Sequence, residues 1–240
     1  MTIALENIRV RRGVNLAISG VDLLIPPGVW FGVIGANGSG KTSLLRAIAG
    51  RLPFAGGACR FGPDEVSTDR AARAARCGFA PPIDRLPEAL RGRDVLSLAA
   101  GTTEEALNRL GPLQEALGLS PLLSARIGEC SAGMRQRLAL ATAFAAGSSI
   151  LVLDEPFNWL DPVVAFDLKE VLRTIPTSGR TLITALQDPM TLATCCGAGV
   201  VLTGGKAALL LDVNAMRDAA SAPEAFERRL IAQLRPAQAV

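Results

Sequence analysis

The stretch WFGVIGANGSGKTSLLRAIAG, Trp30 to Gly50, limits the fold of this chain more than any other part of its sequence. An apolar run ends at Ile34, a glycine-rich turn follows, and Leu44, Leu45 and Ile48 then recur at helical spacing. Gly50 stands where a left-handed residue would end that helix. The turn (Gly35, Ala36, Asn37, Gly38, Ser39, Gly40, Lys41, Thr42) fits G-x-x-x-x-G-K-[ST] in the strand–turn–helix setting the motif requires. Glycines let the backbone wrap closely so that N–H groups converge, and the helix start at Lys41, Thr42 and Ser43 favours an anion. Lys41 can neutralise outer phosphates, and the Thr42 hydroxyl can ligate Mg2+. These residues imply binding of a nucleoside triphosphate.

A second segment, SSILVLDEPFNWLDP, supplies acids. Ile150 to Leu153 suits a buried parallel strand and ends in Asp154 and Glu155. Ligands of open parallel sheets sit at the carboxyl ends of strands, so this pair is expected to meet the phosphates. Asp154 fits a magnesium role, and Glu155 could polarise an attacking water.

Composition narrows the classes. The 240 residues suit one large domain, 49% hydrophobic but only 4% aromatic. A net charge of +3 is too slight to argue for nucleic acid. The clusters Arg9, Arg11, Arg12 and Arg70, Arg73, Arg76 lack interleaved aromatics and read as solvated or partner-facing surface. The longest apolar run, Leu138 to Leu153, is interrupted by Gly147, Ser148 and Ser149 and falls short of the roughly 20 residues a bilayer requires. The amino terminus lacks the form of a signal peptide, and five cysteines without a CxxC pair read as reduced thiols. A cytoplasmic location is expected.

IGECSAGMRQRLALA, residues 127 to 141, is harder to explain as packing. Arg135 and Arg137 occupy the first turn of a helix-like run, where cations oppose the helix dipole. Ser131, Ala132 and Gly133 would open that helix, its free N–H groups and the serine hydroxyl making a second anion seat. GANGSGKT, CSAGMRQRLALA and ILVLDEP, in this order and spacing, resemble the ATP-binding subunit of an ABC transporter over about residues 3 to 210. The SxGM-x-QRL form is similar to the exporter branch. The resemblance implies a P-loop α/β core, an antiparallel β subdomain from the first 30 residues, and a helical subdomain over about 81–130. The whole chain, 1–240, would be a single ABC ATPase domain with a C-terminal helical tail over about 212–240. Within the helical subdomain Thr102 and Glu105 read as a capping box, followed by Leu107, Leu110 and Leu113. Val164, Leu168, Val171, Leu172 and Ile175 make a helical stripe behind Asp161, a natural N-cap.

The resemblance further implies ATP and Mg2+ as ligands, a polytopic membrane permease as partner, and attachment to the cytoplasmic face of the membrane through that permease. It also implies a second ATPase subunit, facing head to tail. Ser131, Ala132, Gly133 and Asp161 would then serve the partner's site. Four positions depart from the family. Arg12 replaces the aromatic that stacks on adenine, Pro82 replaces a glutamine that reaches magnesium and water, and Asp84 is the nearest polar substitute. Trp159 stands where a small residue is usual, and Gln187 stands for the γ-phosphate histidine. These count against fast, symmetric turnover but not against ATP binding. A slowly hydrolysing partner subunit of a heterodimer and a soluble, non-transport ATPase remain as other readings.

Overall fold

The structure is a computed structural model and describes residues 1–234. Two β-strands open the chain, β1 (Ile3–Arg12) and β2 (Asn15–Ile25). They are followed by β3 (Trp30–Gly35), α1 (Lys41–Ile48), β4 (Gly56–Phe61), β5 (Asp64–Glu65), α2 (Arg70–Arg76) and β6 (Cys77–Phe79). Helices α3 (Gly92–Ala100), α4 (Thr103–Leu110), α5 (Leu113–Ala116) and α6 (Ala132–Ala145) lead to β7 (Ile150–Asp154) and α7 (Pro162–Thr174). The chain then runs through β8 (Thr181–Leu186), α8 (Pro189–Cys195), β9 (Ala198–Thr203), β10 (Lys206–Leu211), α9 (Val213–Ser221) and α10 (Pro223–Leu234). The expected C-terminal tail falls on α9 and α10, and its last residues, 235–240, lie outside the described residues.

An antiparallel sheet of order β2-β1-β4-β5 takes in residues 56–65 as well as the first 30. Along β1 the apolar residues step by three between Leu5 and Ile8, which would turn half of them to solvent. A bulge with Asn7 at φ 49° absorbs the extra residue, so Ile3, Leu5, Ile8 and Val10 are all buried. The second sheet has the order β10-β9-β3-β8-β7-β6; it is parallel except for β10, which pairs antiparallel with β9. Strands β3, β7, β8 and β9 are covered on both faces, which is why they read as unbroken apolar runs, whereas the edge strand β10 is largely exposed. On β7, Ile150 and Val152 pack in the cluster that includes α1 and the antiparallel sheet, while Leu151 and Leu153 pack with residues of α6, α7 and α8. Strands β3, β7 and β8 run in one direction. Their carboxyl ends therefore deliver Gly35, Asp154 and Leu186, and the residues just after them, to one edge of the sheet.

Three local expectations change. Arg73 is not on the surface: it is 0% exposed, donates to the carbonyls of Ala47, Val66 and Leu52, and lies over the Phe54 ring at 4.3 Å. A guanidinium so placed ties α2 to α1 and β5, satisfying several carbonyls that local pattern cannot anticipate. The capping box at α4 is half formed. Thr102 Oγ1 accepts from Glu105 N–H, but the Glu105 carboxylate turns to Arg109 instead of back to Thr102. The reach-back occurs one helix earlier, where Asp94 accepts from Arg91 N–H at 2.9 Å. Arg135 reaches back past its helix start, and Arg137 lies in the second turn rather than the first. Arg135 donates to the carbonyls of Cys130 and Gly128, and Arg137 to that of Leu117, so both fasten α6 to the turns before it.

All five cysteines are free. Burial pushes the thiols of Cys59 and Cys77 up to about 12, which leaves them unreactive packing groups. Among the described residues no helix is long and apolar enough to cross a membrane.

Candidate nucleotide site

The loop between β3 and α1 owes its shape to glycine. Gly40 holds φ 104°, and a Cβ there would lie 2.5 Å from the Ala17 carbonyl of β2. Because Gly40 also has no side chain to offer, nothing caps α1. The first-turn N–H groups are left for a ligand. The Ser39 hydroxyl is likewise buried without a partner among the described residues.

Lys41 folds over this loop, its Nζ donating to the carbonyls of Gly35 at 2.7 Å and Ala36 at 3.2 Å. An ammonium has three protons, so one remains for an anion. Burial pulls the Lys41 pKa down, and Glu155 and Asp154 oppose that shift. Thr42 Oγ1 lies 3.1 Å from Asp154 Oδ1 across the gap between α1 and β7. Burial pushes the Asp154 carboxyl up, with the Thr42 hydrogen bond and then Arg46 working against it. Each group is thus biased toward neutrality, and each would be relieved by an opposite charge: a triphosphate for Lys41, a cation for Asp154.

Glu155 sits at the junction of three cavities. One, of about 340 Å3, is lined by Arg12, Ala17, loop residues Asn37 to Ser43 and Glu155. A second, of about 230 Å3, brings Glu155 together with Thr42, Arg46, Asp154, Pro82, Gln136, Asn158 and Trp159. The third, of about 130 Å3, joins it to Gln187, Asn158 and Lys169. Glu155 itself adopts φ 51°, unusual for a residue with a Cβ, as the strand end turns sharply. Gln136 Nε2 holds this turn by donating to the carbonyls of Glu155 at 3.4 Å and Pro156 at 3.1 Å. Asn158 Nδ2 donates to Glu155 Oε2 at 2.6 Å.

Lys41, Thr42, Asp154, Glu155, Arg12 and Gln187 therefore line three cavities that have Glu155 in common. Ser131, Ala132, Gly133 and Asp161 line none of these cavities. Ser131 is exposed and caps α6, its hydroxyl accepting from Met134 N–H at 3.2 Å. Asp161 caps α7 through Val163 and Val164 N–H. Gly133 backs onto the loop after β7: a Cβ there would lie 2.6 Å from the Trp159 carbonyl. Trp159 is 68% exposed and holds φ 66°. Asp84 does not reach the site; its carboxylate lies 3.8 Å from Arg85 and is largely exposed. Gln136 and Arg46 are the polar groups of the Pro82 wall that sequence reasoning missed. Their only sequence signal is spacing, Arg46 standing one helical turn after Thr42 and Gln136 one turn after Ala132.

The ABC transporter family model matches residues 18–158. This chain belongs to that family. Nod factor export ATP-binding protein I of Burkholderia pseudomallei is 35% identical over 183 residues, 74% of this chain and 60% of that relative. An ABC transporter ATP-binding/permease protein of Mycobacterium tuberculosis is 28% identical over 203 residues, 82% of this chain and 24% of its own length. The chain thus spans about 60% of the Nod factor relatives it matches. A solved ATP-binding subunit of an ABC transporter superposes with TM-score 0.84 at 22% identity, covering 98% of this chain and 99% of that one. A dimeric ATP-binding cassette bound to ADP and Pi does so at 0.77 and 20%, covering 88% and 98%. At these identities the likeness is one of fold. The chain is an ATP-binding cassette with the P-loop core and antiparallel β layer of the ABC type.

Proposed function

We propose that this cassette hydrolyses ATP to power a separate membrane permease, in the direction of export, and that it does so as a head-to-tail dimer. The gathering of Lys41, Thr42, Asp154 and Glu155 around two cavities that share Thr42 and Glu155 carries this reading. The export direction is supported by relatives whose names describe export.

Phosphate oxygens would be bound by the uncapped N–H groups of α1, by Ser39 and by Lys41. The donor set of Thr42 hydroxyl and Asp154 carboxylate is hard oxygen, which suits Mg2+, and these two residues would hold the ion. When bound, Mg2+ would offset charge on the outer phosphates. Glu155, ordered by Asn158, accepts the proton of a water attacking the γ-phosphorus. The bond from that phosphorus to the β-phosphate oxygen breaks, and ADP and phosphate leave. Gln187 donates a hydrogen bond to the γ-phosphate. Ser131 and the α6 start of a second copy close the site from the other side. Asp161 joins them across the dimer interface.

The permease reading is supported by a groove of about 780 Å3 lined by Phe79, Pro82, Leu86 and Leu98 together with Arg46, Arg51 and Arg85. Leu98 is exposed there, as an unpartnered docking face would have it. Attachment to the cytoplasmic face of the membrane follows through that contact. A second reading, the slowly hydrolysing half of a heterodimer, is favoured by Pro82, which puts no polar side chain in the wall facing Thr42 and Asp154.

Phosphate release by the purified chain with ATP and Mg2+ tests the assignment. Glu155→Gln is expected to lower the rate by at least about a hundredfold, in the range general-base losses take. A Glu155→Gln protein that turns over at the parent rate rules out Glu155 as the base.

A further inference from the structure

We propose that Arg12 reads the base of the bound nucleotide, and that its guanidinium makes guanosine triphosphate a better ligand than ATP. This deepens the nucleotide-site reading and rests on it. The 340 Å3 cavity takes its walls from two sheets. Glu155 enters from the core sheet, on the side where it and Asp154 act on Lys41, which marks the outer-phosphate end. Arg12 and Ala17 enter from the antiparallel sheet, with Ala17 seated against Gly40. Ala17 has only a methyl group, so Arg12 is the long side chain on the wall left for the base.

No aromatic ring lines this cavity, so the base meets a guanidinium and not a ring face. Arg12 is exposed and makes no ion pair or side-chain hydrogen bond among the described residues, whereas its neighbour Arg11 donates to the Val14 carbonyl at 3.4 Å. Five N–H donors in a planar fork are thus available, and a guanidinium accepts nothing. Stacking on that plane would serve any base equally. The edge does not: guanine presents N7 and O6, two acceptors side by side that match the fork. Adenine presents N7 beside an N6 amino donor, which sets N–H against N–H. The phosphates and ribose are common to both nucleotides, so the difference falls on this one side chain.

Titration calorimetry of the full chain with ATP, GTP and inosine triphosphate, each with Mg2+ at one fixed salt concentration, tests the proposal. GTP is expected to bind about fivefold or more tightly than ATP, the low end for a bidentate pair because the site is open to water. Inosine triphosphate, which keeps O6 and N7 but lacks the 2-amino group, is expected to follow GTP. Arg12→Ala and Arg12→Lys should each bring the three ligands within twofold, the lysine variant keeping the charge while losing the fork. Equal binding of ATP and GTP by the parent, or a preference that survives Arg12→Ala, overturns the proposal. So does inosine triphosphate following ATP, which would assign the preference to the 2-amino group. Failure of the underlying site looks different: all three nucleotides bind weakly, or all three bind Lys41→Ala as they bind the parent.

Discussion

Helix α1 begins at Gly40 with no side chain capping it, whereas α6 begins at Ser131, whose hydroxyl already accepts from Met134 N–H. At α1 the open donors face a cavity shared with Lys41 and Glu155, and the neighbouring Ser39 hydroxyl is buried without a partner. At α6 the capping serine is exposed, Gly133 rests on the Trp159 carbonyl, and Arg135 of the first turn and Arg137 of the second both donate to carbonyls of the preceding segment. One helix start is therefore left unsatisfied until a ligand fills it from within the chain. The other is already capped in the isolated chain by the exposed Ser131, whose hydroxyl proton can still be donated. That is how a complete phosphate seat and a half-seat for a second copy should differ. A half-seat left unsatisfied would destabilise the lone subunit, since orphaned donors cost about 1–3 kcal/mol each when buried.

The comparison breaks most visibly at Lys41. Lys41→Ala removes the cation that two loop carbonyls hold over the α1 start. Charge-assisted contacts contribute up to about 3 kcal/mol, so ATP affinity is expected to fall by about a hundredfold. Calorimetry with ATP and Mg2+ measures this directly. Unchanged affinity would place the phosphates somewhere other than α1.

The α6 side of the comparison is tested by assembly. Glu155→Gln protein with excess ATP and Mg2+ is expected to accumulate a dimer by light scattering, because chemistry stops while the closed state persists. Adding Ser131→Arg should abolish that dimer while ATP affinity stays within a few-fold of the parent. The lost cap costs about 1 kcal/mol, too little to unfold a domain of this size. A Ser131→Arg protein that still dimerises would show that the α6 start is not an interface. A loss of ATP binding together with the dimer would show that the two helix starts are not separate sites.

The two regions also differ in how much of them could be read beforehand. The phosphate loop is local: strand, glycines, lysine and helix face lie within 21 consecutive residues, and the acidic pair follows from one apolar strand ending at the ligand edge. The surroundings of α6 are not local. Gln136 reaches carbonyls 19 and 20 residues away, and Arg137 reaches one 20 residues back. The left-handed Trp159 backbone that fixes Gly133 leaves no trace in composition. Arg73 fails for the same reason: RAARAAR looks like a solvated helix face until β5 and the end of α1 close over it. Pattern reading succeeds where a function is built from neighbours in sequence and fails where side chains pay for backbone groups brought together by the fold.

The smallest effect concerns Gln187. It lies one residue past the carboxyl end of β8, exposed, and shares its cavity with Glu155 and Asn158. Its amide can donate to a γ-phosphate oxygen but cannot carry charge. Hydrogen bonds to charged groups contribute roughly 1.5–3 kcal/mol against about 1 for neutral pairs. The phosphate already provides one charge, so a histidine here should gain only the smaller share, about 1 kcal/mol, or about fivefold in rate. Gln187→His is therefore expected to raise kcat severalfold with little change in KM, measured by steady-state phosphate release beside the parent protein. Asn158 bears on the outcome, because it already holds one oxygen of the Glu155 carboxylate at 2.6 Å. A charged imidazole next to that carboxylate could pull Glu155 away from the attacking water, and the rate would then fall. An unchanged rate would place the limit in the other cavity, at Pro82 beside Thr42 and Asp154, a cavity that Gln187 does not line.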